Sequence, residues 1–468
     1  MNFLKSTTLF LLISLNCFAQ KRVQNIEKAF NNLLADEQAK HAIASLCILD
    51  ANTGKTLYAK NEEIGLATAS TLKTITAATA FSVLGKDFQF QTVLAYTGNI
   101  TSDGTLKGSL IIVGNGDPTL GSWRYQNKEN AVLTQWVEAI KSAGIKKIEG
   151  SIIGDDRIFG TQTTPEGWVW QDIGNYYGAG TSGLAWRENQ FDIHLKPGFS
   201  TTDDVKVVKT VPETPYIQII NELKTGASGT GDRSYAFLPP YSNVAYLRGS
   251  WGIGISKPGI SVALPDPAFD CAYRLQDTLK RLGVSTNQPA TTARLMALNN
   301  QPVPAIAQKI STISSPPLSE IAYWFLKKSI NLYGETLLKT IALNSGKGAT
   351  TAKGAETEIN FWAAKGIDKN ALNIIDGSGL SPGDRITTSA MANILFQVQK
   401  ENWFSDYYKA LPEYNGMKIK SGTINDVSAF AGYHTDPEGN KYIIVININN
   451  YSGSGINKKL FKVLDELK

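Results

Sequence analysis

The spacing of apolar and polar positions changes twice along the chain. Residues 43–60 (IASLCILDANTGKTLYAK) alternate on either side of an Asn-Thr-Gly turn and predict two strands. The next stretch, Ala67 to Ala80 (ATASTLKTITAATA), reads as a helix of small residues and threonines. From about 89 to 267 short alternating runs appear, among them GSLIIVGNGDPTL, IEGSIIGDDRIF, NQFDIHLKPG and PYIQIINELKTG, separated by Gly, Asn, Asp and Pro. They predict a long β-rich region. Helical spacing returns at about 268. AFDCAYRLQDTLKRLGV and PLSEIAYWFLKKSINLYGETLLKTIAL carry apolar residues at i, i+3 and i+4. TTSAMANILFQVQK predicts a further helix, GMKIKSGTINDVSAFAGYH and KYIIVININN predict hairpin strands, and NKKLFKVLDELK a closing helix.

This order predicts a multi-domain α/β protein. Its first part, residues 20–88, and its last, 268–468, would form one α/β domain enclosing the β-rich insertion. A chain of 468 residues is too long for one hydrophobic core. No internal repeat or low-complexity segment is visible. Residues 1–19 read as a signal peptide: Lys5 is the charged part, Leu9–Leu15 the apolar core, and Cys17-Phe18-Ala19 the cleavage site before Gln20. Leu15 and Asn16 are poor neighbours for a lipidated Cys17, so cleavage is favoured over a lipid anchor. No later apolar run is long enough to span a bilayer, so no transmembrane anchor is expected.

Composition narrows the function classes. Lys and Arg number 46 against 41 Asp and Glu, a net charge of +5 without a basic block, which gives no case for nucleic acid. Cys47 and Cys271, in SLCILD and DCAYRL, read as separate buried thiols rather than a disulfide. With only three histidines (His41, His194, His434), none at ligand spacing, a metal site and a Ser-His-Asp scheme are both disfavoured.

The chemistry starts at Ser70-x-x-Lys73. Positions i and i+3 of a helix are neighbours, so hydroxyl and amine would sit side by side. A serine needs a base, and a neutral lysine can be one. A helix N-terminus favours a developing oxyanion. Such a pair is expected by chance on the order of once or twice in a chain of this length, so alone it is weak. Two further elements add to it. Ser329-x-Asn331 lies at a helix or its end, where a hydroxyl can pass a proton and an amide can orient substrate and lysine. Lys420-Ser421-Gly422-Thr423 lies in a strand whose glycine lets a peptide approach. Lys420 would hold a carboxylate. A literal Lys224-Thr225-Gly226 inside the β-rich region reads as a turn.

In order and separation, Ser70-x-x-Lys73, Ser329-x-Asn331 and Lys420-Ser421-Gly422 resemble the three motifs of penicillin-binding proteins and serine β-lactamases. The large insertion after the first motif resembles the low-molecular-mass class C group, the D-alanyl-D-alanine carboxypeptidase/endopeptidases. So do Gly114-Asn115-Gly116-Asp117-Pro118-Thr119-Leu120, Gly167-Trp168-Val169-Trp170-Gln171-Asp172 and Asp376-Gly377-Ser378-Gly379-Leu380-Ser381. The departures are Ser421, where the family usually has threonine, and Asn115, where many members have glycine.

The resemblance implies a transpeptidase/β-lactamase-like domain (20–88 and 268–468) split by two β-rich domains, one of residues 89–154 and 247–267, the other of 155–246. It implies that Ser70 attacks the penultimate D-alanine of peptidoglycan stem peptides, with Lys73 as base and Ser329 as proton relay. Asn331, Lys420, Ser421, Gly422 and Thr423 would bind substrate, with the N–H groups of Ser70 and Thr423 as oxyanion hole. β-Lactams would acylate Ser70. No cofactor or metal is implied, and the location is periplasmic. Asp172 is either a carboxylate facing the diaminopimelate amine or a loop acid or helix cap, with equal weight. Arg385 is a surface residue or a carboxylate clamp. Two rival readings are a β-lactamase or esterase on this scaffold, and a non-catalytic cell-wall-binding protein.

Overall fold

A computed structural model describes residues 21–468; the segment read as a signal peptide lies outside the described residues. The chain forms two compact units. The first holds residues up to Thr79, Ala322–Ser329 and Glu356–Lys468, the second Ala80–Ile321 and Ile330–Ala355.

The first unit is built on a six-stranded antiparallel sheet. Its order is Thr56–Lys60, Ile43–Asp50, Lys441–Asn449, Val427–Thr435, Met417–Ile424, Glu413–Tyr414. The central strands are buried on both faces, which is why KYIIVININ reads as a nearly continuous apolar run rather than a clean alternation. On one face Ile26, Phe30 and Leu33 of the helical residues 21–34 pack with Leu460 and Leu464 of the closing helix Ile456–Leu464 over Leu46, Ile48, Ile444 and Ile446. Each such side chain contributes roughly 1.5–3 kcal/mol on burial. The helix Thr388–Val398 lies against the central strands and carries its own buried row of Met391, Ile394, Leu395 and Val398.

The helix Lys73–Leu84 explains the run of small residues in the first motif. Every residue from Thr74 to Phe81 is buried. Threonine hydroxyls satisfy themselves on their own helix, Thr74 Oγ1 donating to Thr71 O (2.8 Å) and Thr79 Oγ1 to Ile75 O (2.9 Å). Trp362 Nε1 donates to Thr79 Oγ1 (2.9 Å), and Tyr407 OH to Thr74 O (3.1 Å).

The second unit contains a five-stranded sheet in the order Thr291–Thr292, Ile152–Asp155, Leu110–Val113, Gln91–Tyr96, Gln308–Ser314. Its core joins Leu94, Leu110, Ile112 and Ile152 to Trp136 and Ile140 of the helix Glu129–Ser142 and to Cys271, Leu275 and Leu279 of Pro267–Arg281. A second core, with Phe191, Ile193, Leu247, Trp251 and Val262, lies between small sheets of residues 190–263.

The helix Glu129–Ser142 interrupts the region read as β-rich; Val132, Leu133, Trp136, Val137 and Ile140 are its buried i, i+3/i+4 face. Residues 268–321 belong to the second unit, because the helix Pro267–Arg281 closes its core. Asp266 caps that helix, accepting from Phe269 N at 3.0 Å, with Pro267 at its first position. Lys224-Thr225-Gly226 is a strand, not a turn: it pairs with Ser250–Gly252, and buried Thr225 accepts from Gly198 N at 2.8 Å. Cys47 and Cys271 are buried free thiols.

Candidate active site

Ser70 lies in a short 3₁₀ segment, Ala69–Leu72, that runs into the α-helix opened by Lys73. Ala69 has φ 44°, a left-handed conformation that a residue with a Cβ adopts at a cost of about 1–2 kcal/mol. The bend turns the Ser70 side chain to the helix start. Lys73 Nζ stands 2.8 Å from Ser70 Oγ and donates to Ser378 O at 2.7 Å. Lys73 is fully buried, while Ser70 is partly exposed.

Two glycines seat this bend. At Gly379 (φ 75°) a Cβ would lie 1.9 Å from Ala69 O. At Gly422 it would lie 2.6 Å from Thr68 O and 2.9 Å from Ser70 N. Glycine at both places allows backbone to touch backbone beside the serine N–H.

Lys420 and Ser421 stand on the strand Met417–Ile424. That strand pairs with Val427–Thr435 along its length, but with Glu413–Tyr414 only at Met417 and Lys418. Its second edge beyond Lys418 is therefore unpaired within the sheet, suited to an added peptide strand. Lys420 Nζ donates to Ser421 O at 2.6 Å. Burial, then the Lys73 charge, pushes the Lys420 amine well below the usual lysine range. Thr423 is exposed opposite Ser428.

Ser329 belongs to the same unit. It follows the helix Leu318–Lys328 in a left-handed conformation (φ 56°), which breaks that helix so that Asn331 opens the next, Asn331–Asn344. In the second unit, Asn331 Nδ2 donates to Tyr177 O at 2.7 Å. Asp172, in the short helix Trp170–Ile173, is half-buried; burial raises its carboxyl and a hydrogen bond with the Tyr177 side chain opposes the rise. Asn331 and Asp172 thus meet at Tyr177, a residue the sequence reading missed. Arg385 is exposed in the two-residue strand Arg385–Ile386, paired with Leu66–Ala67.

Three acids are buried here, of which the sequence reading quoted Asp376 only as part of a resembling stretch and missed Glu358 and Asp384. Asp376 accepts from Ser378 N (2.9 Å) and Ser381 N (2.8 Å), and Asp384 from Ile375 N (2.6 Å). Glu358 accepts from Thr76 Oγ1 at 3.4 Å; burial, aided by the Asp376 charge, pushes its carboxyl up to about 8. Only their glycine-rich or apolar setting in the sequence hints at burial.

A buried lysine against a serine at a helix start, beside a glycine-bearing open strand, defines a serine peptidase of the transpeptidase and β-lactamase-like class. The model of the D-Ala-D-Ala carboxypeptidase 3 (S13) family matches residues 26–413, and the chain belongs to that family. It is a serine-type D-Ala-D-Ala carboxypeptidase. It is 25% identical over 465 residues to the D-alanyl-D-alanine carboxypeptidase of Actinomadura sp. (strain R39), covering 92% of this chain and 82% of that protein. It is 25% identical over 411 residues to D-alanyl-D-alanine carboxypeptidase DacB of Haemophilus influenzae, covering 84% of this chain and 82% of that one. The crystal structure of penicillin binding protein 4 from Haemophilus influenzae shares the fold, with a TM-score of 0.78 and 23% identity over 93% of this chain and 98% of that one.

Proposed function

We propose that Ser70 is the nucleophile of this carboxypeptidase and Lys73 its general base. Neutral Lys73 takes the Ser70 proton as Oγ bonds to the carbonyl carbon of the penultimate D-alanine. The N–H groups of Ser70 and Thr423 hold the oxyanion, each donor worth about 3–4 kcal/mol. Ser329 passes the proton to the departing D-alanine nitrogen as the C–N bond breaks. Water then adds to the acyl-enzyme, frees the shortened peptide and restores Ser70.

Asn331 orients the substrate amide, and the open edge from Ser421 to Thr423 takes the peptide as a strand. Lys420 receives the terminal carboxylate. An arriving negative charge favours the charged amine, so binding draws a proton onto Lys420. Asp172, kept partly unsolvated beside Tyr177, faces the amine of diaminopimelate. That placement supports endopeptidase cleavage of D-Ala–diaminopimelate cross-links besides carboxypeptidase action. β-Lactams acylate Ser70; a solved form of the Haemophilus influenzae protein is a β-lactam complex.

We also propose cleavage of residues 1–19 on export and work in the periplasm. No helix of the described residues is long and apolar enough to cross a membrane. The β-rich insertion is read as two domains, 89–154 with 247–267, and 155–246.

The observation that carries this reading is Lys73 Nζ 2.8 Å from Ser70 Oγ. The test is labelling of residues 20–468 with a fluorescent penicillin beside Ser70→Ala, followed by mass mapping. Label on Ser70, absent from the variant, is expected. A folded protein that takes no label would sink the assignment and favour a wall-binding role.

A further inference from the structure

Lys73 does two things at once: its Nζ faces Ser70 Oγ and donates to Ser378 O. A neutral amine has two hydrogens and one lone pair. A fixed carbonyl acceptor holds one hydrogen and so turns the lone pair towards the serine. The orientation of the Ser378–Gly379 peptide therefore sets the orientation of the base.

That peptide is gripped from its other side. In a trans peptide the C=O and the following N–H point in opposite directions. Ser378 O faces Lys73, and Gly379 N–H, in the same plane, donates to Asp376 Oδ1 at 2.5 Å. Ser378 N and Ser381 N donate to the same carboxyl group at 2.9 and 2.8 Å. Carboxylate, peptide dipole and amine lie in series. We propose that Asp376 is the positioning residue of the Lys73 base, acting through the Ser378–Gly379 peptide and favouring the ammonium formed when Lys73 takes the Ser70 proton. The proposal rests on Lys73 being that base.

The neighbouring acids fit this arrangement. Asp384 is buried, and Oδ2 has no acceptor bond among the described residues, while Oδ1 takes Ile375 N and Asp376 N. Burial and the adjacent Asp376 push the Asp384 carboxyl far up. Burial thus disfavours the Asp384 anion, while Asp376 is gripped by backbone donors. Glu358 is likewise held protonated by burial across neutral pH, up to about 8. Of the three acids, Asp376 is the one that three backbone N–H groups hold as acceptor beside the Ser378–Gly379 peptide.

The test uses ¹⁵N-lysine-labelled protein, with the Lys73 signal assigned by Lys73→Arg. Asp376→Asn keeps the size and one acceptor but removes the charge. It is expected to move the Lys73 titration midpoint to lower pH and to slow penicillin acylation on the order of tenfold or more. Asp384→Asn, which keeps an acceptor oxygen for Ile375 N and Asp376 N, is expected to leave the midpoint in place. An unmoved midpoint in folded Asp376→Asn overturns the proposal, as does an equal shift in both variants. Should Asp376→Asn not fold, Asp384→Asn decides: a moved midpoint there overturns it. If Ser70 proves not to be acylated in the unchanged protein, the nucleophile assignment falls, and the titration still decides the Asp376–Lys73 link.

Discussion

The residues around Ser70 are set by what is left out as much as by what is present. At Gly422 a methyl group would stand 2.6 Å from Thr68 O and 2.9 Å from Ser70 N. Contacts under 3.0 Å to backbone force the strand away from the serine. Gly422→Ala is expected to lower acylation by about 10²-fold or more, the scale of losing one oxyanion donor, while the sheet, paired on its other side, still forms. Stopped-flow labelling with penicillin, beside circular dichroism, checks both; near-normal acylation would remove the strand from the site. The closeness of Ser70 and Lys73 was legible in the sequence because residues three apart in a helical turn are neighbours. The strain at Ala69 and the bonding of Asp376 were not. A left-handed alanine carries no sequence mark, since the strain at Ala69 is held by the distant Gly379. The grip of Asp376 on three backbone N–H groups depends on a loop closing on itself.

At the scale of elements, the helix Lys73–Leu84 is legible as a small-residue run but not in its environment. Its neighbour Glu358, on the helix Thr351–Ala364, is fully buried and accepts from Thr76 Oγ1. Its folded carboxyl titrates at about 8, above the unfolded value near 4.5. Between those values the folded state holds a proton that the unfolded state has released. Glu358 therefore supports stability fully below about pH 4.5, and that contribution is lost as pH rises through about 8. Glu358→Gln, which keeps the Thr76 contact without a charge, is expected to flatten this decline. Urea unfolding at several pH values from 5 to 9 measures it; parallel curves for the two proteins would show that Glu358 is not held protonated. The helix Glu129–Ser142 was hidden for a different reason. Its apolar face is regular, but it lies among short alternating strands that outweigh it in a reading of the whole region.

At the scale of the molecule, the multi-domain α/β character was legible from the change of period. The division of the chain was not, because three of its four boundaries fall inside helices. Thr79 and Ala80 are consecutive residues of the helix Lys73–Leu84, Ile321 and Ala322 of Leu318–Lys328, and Ala355 and Glu356 of Thr351–Ala364. Domains that unfold separately are usually joined by exposed linkers with few crossing contacts. A helix, by contrast, propagates cooperatively through consecutive hydrogen bonds. Fraying one helix at its middle removes bonds from both units. The protein is therefore expected to lose both units in one transition. The two thiols report on this without any added probe, since Cys47 lies in the core sheet of the first unit and Cys271 in the helix core of the second. Burial pushes the Cys47 thiol up to about 12 and raises Cys271 well above the usual thiol range, so neither is expected to react with a disulfide reagent in the native state. Along a denaturant series, mass spectrometry should find both labelled at one midpoint. Cys271 reacting at a lower denaturant concentration than Cys47 would show that the inserted unit opens alone, and that the three shared helices do not transmit the unfolding.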